Sequence, residues 1–283
     1  MKAKFICAFL VLALASMACG INIDLPKAPT PGPLVTDRIA VPVPKSSGTR
    51  LKLSFGAGDL ILSPGAEKNL VEGTATYNHG QFKPVIKTEG GDVTIQMGDF
   101  EFKAIPAFEE FRNEWDFKLG VEPMELVIEA GAYNATYEFG GLALTDLSIT
   151  DGAADVELSF SEPNHSVMTL FRYESGASNV KMDGLANANF SIFNFSAGAG
   201  DYTLDFSGGL QRDATVNIET GFSNVILVIP EGINAVVTVE SGVSNINAGP
   251  GWVQNGDRYV AEGEGPRLVI VVEMGAGNLT LSR

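Results

Sequence analysis

One phrase recurs eight times along the chain: apolar, any residue, apolar, two further positions, glycine, commonly alanine, any residue, Asp or Asn, apolar, any residue, apolar. Its glycines are Gly56, Gly131, Gly152, Gly176, Gly198, Gly221, Gly242 and Gly275. Five and three residues before them stand Leu51/Leu53, Leu126/Ile128, Leu147/Ile149, Phe171/Tyr173, Phe193/Phe195, Val216/Ile218, Val237/Val239 and Ile270/Val272, all apolar or aromatic. Polar residues dominate between them, which is the period of two of a strand with one buried face. The downstream pairs behave alike, from Leu60/Leu62 to Leu279/Leu281, with Ala135 and Ala248 as the small members. Each copy therefore predicts two short strands joined at a Gly-x-x-Asp/Asn corner.

From Gly131 to Gly242 the copies follow one another at 21, 24, 22, 23 and 21 residues. So regular a period predicts an all-β fold, a right-handed parallel β-solenoid with coils of about 22 residues, because one such unit covers its inward side chains only when neighbours stack on it. A second corner at Gly141-Leu142, Gly184-Leu185, Gly209-Leu210 and Gly232-Ile233 predicts a third short side. The spacing opens to 75 residues between Gly56 and Gly131 and to 33 between Gly242 and Gly275. These excesses are read as atypical caps, since bare strand edges invite aggregation. The longer is rich in Phe100, Phe102, Phe108, Phe111, Trp115 and Phe117. Residues 46–125 are thus expected to form an N-terminal coil with a capping insertion, and 126–283 the repeats with a C-terminal cap.

The glycine is expected to supply the positive φ of a corner, and Asp or Asn to fold an oxygen back onto backbone N–H groups. That Asp/Asn position holds Asp59, Asn134, Asp155, Asn179, Asp201, Asn224, Asn245 and Asn278. Equivalent residues of stacked strands lie about 4.8 Å apart, so amides can bond in a ladder. Two Asp never follow in succession.

The chain begins differently. Lys2 and Lys4 precede the apolar run Phe5–Leu14 and the small-residue exit Ala15-Ser16-Met17-Ala18, an export signal over 1–18. Cys19-Gly20 resembles the lipobox of bacterial lipoproteins, in which the cysteine is acylated, although Ser16 stands where that motif usually has Leu. Residues 19–45, with Pro26, Pro29, Pro31, Pro33, Pro42 and Pro44, read as a lipidated cysteine and an extended tether. Of 283 residues 45% are hydrophobic and 19% charged, the composition of a folding chain, and the formal net charge of −15 argues against nucleic acid as a partner. Two Cys and two His leave little material for zinc or a disulfide framework.

Gly56-Ala-Gly-Asp-Leu-Ile-Leu, Leu70-Val-Glu-Gly-Thr-Ala-Thr-Tyr77-Asn78, Lys83-Pro84-Val85 and Trp115-Asp-Phe-Lys-Leu119, in that order, resemble the bacterial toast-rack family of exported proteins. That family is related to the putative-adhesin repeats and to the C-terminal domain of cell-wall-active antibiotic response proteins. The resemblance spans about residues 47 to 283 and implies a stacked β-solenoid outside the cytoplasmic membrane, with no catalytic residues or cofactor to carry over. The function expected is a membrane-anchored, extracytoplasmic lipoprotein acting as an adhesin-like or scaffold module toward an envelope protein or glycan. An envelope-stress sensor and a polysaccharide-active enzyme are the other classes such a body could serve.

Other candidate chemistry is thin. Gly56-Ala-Gly58 and Gly198-Ala-Gly200 lack the third glycine and the following helix of a dinucleotide site. An Asp/Asn row with more Asn than Asp lacks the charge density of a calcium site, so no metal is expected, and His79 and His165 are expected in solvated loops. Phe108, Glu109, Glu110, Phe111, Glu114 and Trp115 form an acidic and aromatic run that is either a partner patch or a cap with its rings turned inward.

Overall fold

The structure, a computed structural model, describes residues 30–46, 48–98 and 110–283. Of the two compact units into which the chain divides, Pro31–Phe100 with Glu109–Arg283 holds every element below. The other, Met1–Thr30 with Glu101–Phe108, lies outside the described residues apart from Thr30. The export signal, Cys19, Phe108 and Glu109 lie outside the described residues.

The described residues form fifteen strands: β1 (Val35–Pro42), β2 (Arg50–Pro64), β3 (Asn69–Tyr77), β4 (Pro84–Glu89), β5 (Asp92–Met97), β6 (Asn113–Leu119), β7 (Met124–Glu138), β8 (Leu144–Ser159), β9 (Met168–Asp183), β10 (Phe190–Asp205), β11 (Ala214–Val228), β12 (Gly232–Ala248), β13 (Val253–Asn255), β14 (Arg258–Ala261) and β15 (Gly263–Ser282). The fold is all-β, one large and mostly parallel sheet. Its order runs β1-β3-β6-β2-β7-β8-β9-β10-β11-β15-β12-β14-β13, with β5 beside β2 and β4 beside β5.

The eight copies lie on β2, β7, β8, β9, β10, β11, β12 and β15, paired parallel and in register. Leu51, Leu126, Leu147, Phe171, Phe193, Val216, Ile270 and Val237 make one continuous row, and each is at most 1% exposed. Within it the Phe171 and Phe193 rings stack at 4.3 Å, and in the next inward row Tyr173 and Phe195 stack at 5.3 Å.

The structure differs from a simple reading of the repeats at several points. Each copy is one unbroken strand of 15 to 20 residues, and the corner is a change of phase within it. In β10, Phe193, Phe195 and Ala197 are buried and then Tyr202 and Leu204, so the inward set moves from odd to even positions across Gly198-Ala-Gly-Asp. A straight strand cannot bury both sets on one side, so the backbone bends there. Spatial order also departs from chain order, because β15 inserts between β11 and β12. The extra residues before Gly275 make the antiparallel pair β13–β14, which lies outside β12. Finally, the proline-dense stretch is not tether throughout: Val35–Pro42 forms β1, antiparallel to β3, with Ile39 and Val41 buried.

The repeat glycines are needed for a reason other than the one expected. None has positive φ. Seven of them instead lie against the glycine carbonyl of the neighbouring strand, and Gly56, at the end of the column, against the Met97 side chain. A Cβ would stand 2.4 Å from the Gly56 oxygen at Gly131, 2.5 Å from Gly152 at Gly176, 2.3 Å from Gly176 at Gly198 and 2.6 Å from Gly198 at Gly221. No side chain fits such a column.

Between successive long strands, non-strand segments stack on one another. Gly141 and Gly184 adopt positive φ and deliver Leu142 and Leu185 to the core. Backbone bonds join these segments from copy to copy: His165 N–H to Leu142 O at 2.7 Å, and Asn164 N–H to Asn187 O at 2.8 Å. Buried Asn164 bridges within them, accepting from Leu144 N–H at 2.7 Å and donating to Leu144 O at 2.8 Å. The 3-10 turn Leu185–Ala188 lies in one of these segments.

Candidate functional site

Asp59, Asn134, Asp155, Asn179, Asp201, Asn224, Asn278 and Asn245 occupy one register row. Their side chains project outward from the bend, because the phase change leaves this position solvent-facing on either side of the buried pairs. Side chains of the row bond one another. Asn134 Nδ2 donates to Asp59 Oδ1 at 3.0 Å, Asn179 to Asp155 at 2.7 Å, Asn224 to Asp201 at 2.7 Å and Asn278 to Asn224 at 2.6 Å. The ladder is thus broken into short chains in which an amide donates to the preceding member.

Beside the row, on the outer face of the downstream arms, Thr136, Glu157, Lys181 and Thr203 complete a shallow groove of about 600 Å³ with Asn134, Asp155, Asn179 and Asp201. Lys181 Nζ lies 2.6 Å from Asp183 Oδ2, and this hydrogen-bonded carboxylate raises the ammonium pKa. The groove offers amide, carboxylate, hydroxyl and ammonium groups repeated at the strand spacing of about 4.8 Å. Such an array suits a hydroxyl-rich extended ligand more than an apolar one. Among the described residues no group of three or more His, Cys, Asp or Glu is placed to hold a metal ion.

The aromatic and acidic run does not assemble as one patch. Trp115 is fully buried, against Phe55 at 5.0 Å and Phe117 at 5.2 Å. Glu114 points the other way and pairs with Arg112. Phe111 packs against Phe82 and His79, and the backbone oxygen of exposed Glu110 accepts from Asn78 Nδ2. Alternation along β6 turns Trp115 and Phe117 inward and Glu114 and Asp116 away from them. His165 is exposed, whereas His79 is half-buried and its Nδ1 accepts from Gln81 N–H.

A buried polar cluster escaped the sequence reading. Asp151, 6% exposed, takes Tyr173 Oη at 2.7 Å and Tyr133 Oη at 3.4 Å on one oxygen, and Ser175 Oγ at 2.5 Å on the other. Tyr137 Oη in turn lies 3.3 Å from Tyr133 Oη, and Ser178 Oγ 2.7 Å from Ser175 Oγ. Burial first, and then the nearby carboxylate, drive the Tyr133 and Tyr173 pKa values well above the ordinary 10.0; burial and Tyr133 do the same for Tyr137. The signal was present: Asp151 is the one charged residue in a position that elsewhere holds Phe55, Ala130, Ser175, Ala197, Thr220, Ser241 or Met274.

Fold and corner row together define a repeat protein that presents regular side-chain rows on a close-packed parallel sheet. A family model described as "N-terminal domain of toast_rack, DUF2154" matches residues 30–170. The chain carries a toast-rack N-terminal domain over that stretch. No curated protein matches significantly. Among solved structures, one described as a "putative cell adhesion protein" from Clostridium sporogenes is 22% identical, has a TM-score of 0.53, and covers 88% of this chain and 99% of its own. It shares the fold. A "putative lipid binding protein" from Parabacteroides distasonis (10% identity, TM-score 0.40, 89% and 99% coverage) and a "putative adhesin" from Bacteroides fragilis (7%, 0.34, 88% and 97%) are more distant and carry no argument.

Proposed function

We propose that this chain is an exported, lipid-anchored binding module of the cell envelope, adhesin-like and without catalytic activity, whose body is a right-handed β-solenoid. Chain geometry supports the solenoid. A straight strand of sixteen residues such as β9 would run about 50 Å, yet the six residues between β9 and β10 reach at most about 25 Å, and Phe190 must come back beside Met168. The strand therefore curls back toward its own start, and parallel crossovers are overwhelmingly right-handed. The export signal and Cys19-Gly20 support the anchor, and the cell-adhesion description of the Clostridium sporogenes protein is in keeping with the binding role.

The observation that carries the binding reading is the corner groove: a row of exposed Asp and Asn beside Thr136, Glu157, Lys181 and Thr203, held on strands whose bend is locked by the glycine column. A screen of envelope glycans and envelope proteins against the chain tests it. Ligand should be lost on Asn179→Ala together with Thr203→Ala, both solvent-facing, without a change in melting temperature beyond a few degrees. Binding that survives both substitutions places the site elsewhere. Cys19→Ser is expected to release the chain from membranes, and an unchanged membrane fraction refutes the anchor.

A further inference from the structure

The two ends of the sheet's repeat region are closed unequally. At the N-terminal end β2 is covered along both arms, by β5 over Arg50–Ser54 and by β6 over Asp59–Pro64, and the inward Leu60 and Leu62 are fully buried. At the other end β12 is the last of the long strands, and β14 covers it only over Ala235–Thr238. Among the described residues, its only strand neighbour from Gly242 to Ala248 is β15. The inward row members there are correspondingly uncovered. Ile246 is half-buried and Ala248 exposed, while their partners Leu279 and Leu281 are fully buried.

The composition of this edge is unusual for the chain. No Asp, Glu, Lys or Arg occurs from Ser241 to Gly256, in a chain of net charge −15, and no proline occurs between Ser241 and Gly249. Charge, proline and bulges are the devices by which free edges avoid pairing, and this edge carries none of the first two. The polar row also ends here. Asn134, Asn179, Asn224 and Asn278 each donate to the neighbouring member, whereas among the described residues Asn245 has no side-chain hydrogen-bond partner.

We propose that the free edge of β12, Gly242–Ala248, is a self-association surface through which two copies of the chain join as antiparallel strands about a two-fold axis. Identical edges related by a two-fold axis are self-complementary, and a segment of about 23 Å can pair with itself provided that it does not repel itself. Two copies approach against a net charge of −15 each, so a neutral stretch of this length is the place where they can meet. Pairing satisfies the free N–H and C=O groups of both edges. It brings each unpartnered Asn245 amide toward its equivalent, and it shields the half-open row at Ile246 and Ala248 in both molecules at once.

Sedimentation of the full chain carrying Cys19→Ser, so that no acyl group can drive assembly, tests this. The measured mass should double at tens of micromolar, and the dimer fraction should rise with salt as the like charges are screened. Asn245→Asp with Asn247→Asp places carboxylates across the axis while retaining the Asp-beside-Asn pattern the row tolerates elsewhere. That variant should stay monomeric with an unchanged melting temperature. A wild-type edge that remains monomeric, a dimer unaffected by the paired substitution, or an edge that captures an unrelated extended peptide without self-association would each overturn the proposal.

Discussion

Replacing Gly198 with alanine is the most direct challenge to the packing described above. The new Cβ would stand 2.3 Å from the carbonyl oxygen of Gly176, on a neighbouring strand that is itself held on its other side by Gly152. An ordinary contact between these atoms is about 1 Å longer. The offending atom is backbone, which no rotamer change can move. Relief requires β9 and β10 to separate at the bend, where ladder bonds would stretch on both sides. Overpacking of this kind costs about 1–3 kcal/mol, and each ladder bond lost adds about 1 kcal/mol, so a destabilisation of about 3–4 kcal/mol is expected. Two further glycines separate sterics from backbone conformation. Gly80 has open space and no positive φ, so Gly80→Ala should be neutral or stabilise by about 0.4–1 kcal/mol through the unfolded chain. Gly232 also has open space but a φ of +95°, and its replacement should cost about 1–2 kcal/mol from conformation alone. Urea unfolding of the three variants gives the ranking. If Gly198→Ala costs no more than Gly232→Ala, the column is not a steric constraint and the argument for the shape of the bend fails.

Asp151→Ala leaves the hydroxyls of Tyr173 and Tyr133 without their acceptor, while Ser175 keeps Ser178, and should destabilise by about 2–4 kcal/mol. In a double-mutant cycle with Tyr173→Phe the two losses should fall short of additivity by at least 0.5 kcal/mol, and strict additivity would mean that the 2.7 Å bond contributes nothing. Alkaline pH supplies another test. Tyr133, Tyr137 and Tyr173 hold their protons more tightly folded than unfolded, so their contribution is complete below about pH 10 and declines above it, by about 4 kcal/mol per pH unit for three phenols. Tyrosinate absorbance from these residues should therefore rise only together with unfolding; a smooth titration in the intact fold near pH 10 would contradict their burial. Melting should also be indifferent to millimolar Ca²⁺, since an ion bound at a hundred times its dissociation constant would add about 2.7 kcal/mol.

The sequence alone determined the rows. Alternation at fixed offsets from a recurring glycine assigns every inward side chain of the copies, because a strand has only two faces and one of them is apolar. The same offsets place the eight Asp and Asn residues together, and the regular period requires parallel stacking. Only the tertiary structure decided what the glycine is for, since close approach of a neighbouring carbonyl and positive φ leave the same mark on a sequence. It also decided the order β11-β15-β12, because Gly242 and Gly275 match the neighbouring rows equally well and nothing local specifies which strand lies outermost. Trp115 shows the same division: its spacing from Phe117 marks an inward pair, but which face of β6 is inward depends on β2 and β3 packing on either side. Asp151 is charged where the other copies of its position are not, but the hydroxyls of β7 and β9 that donate to it are brought there by register across strands, which no single stretch of chain contains.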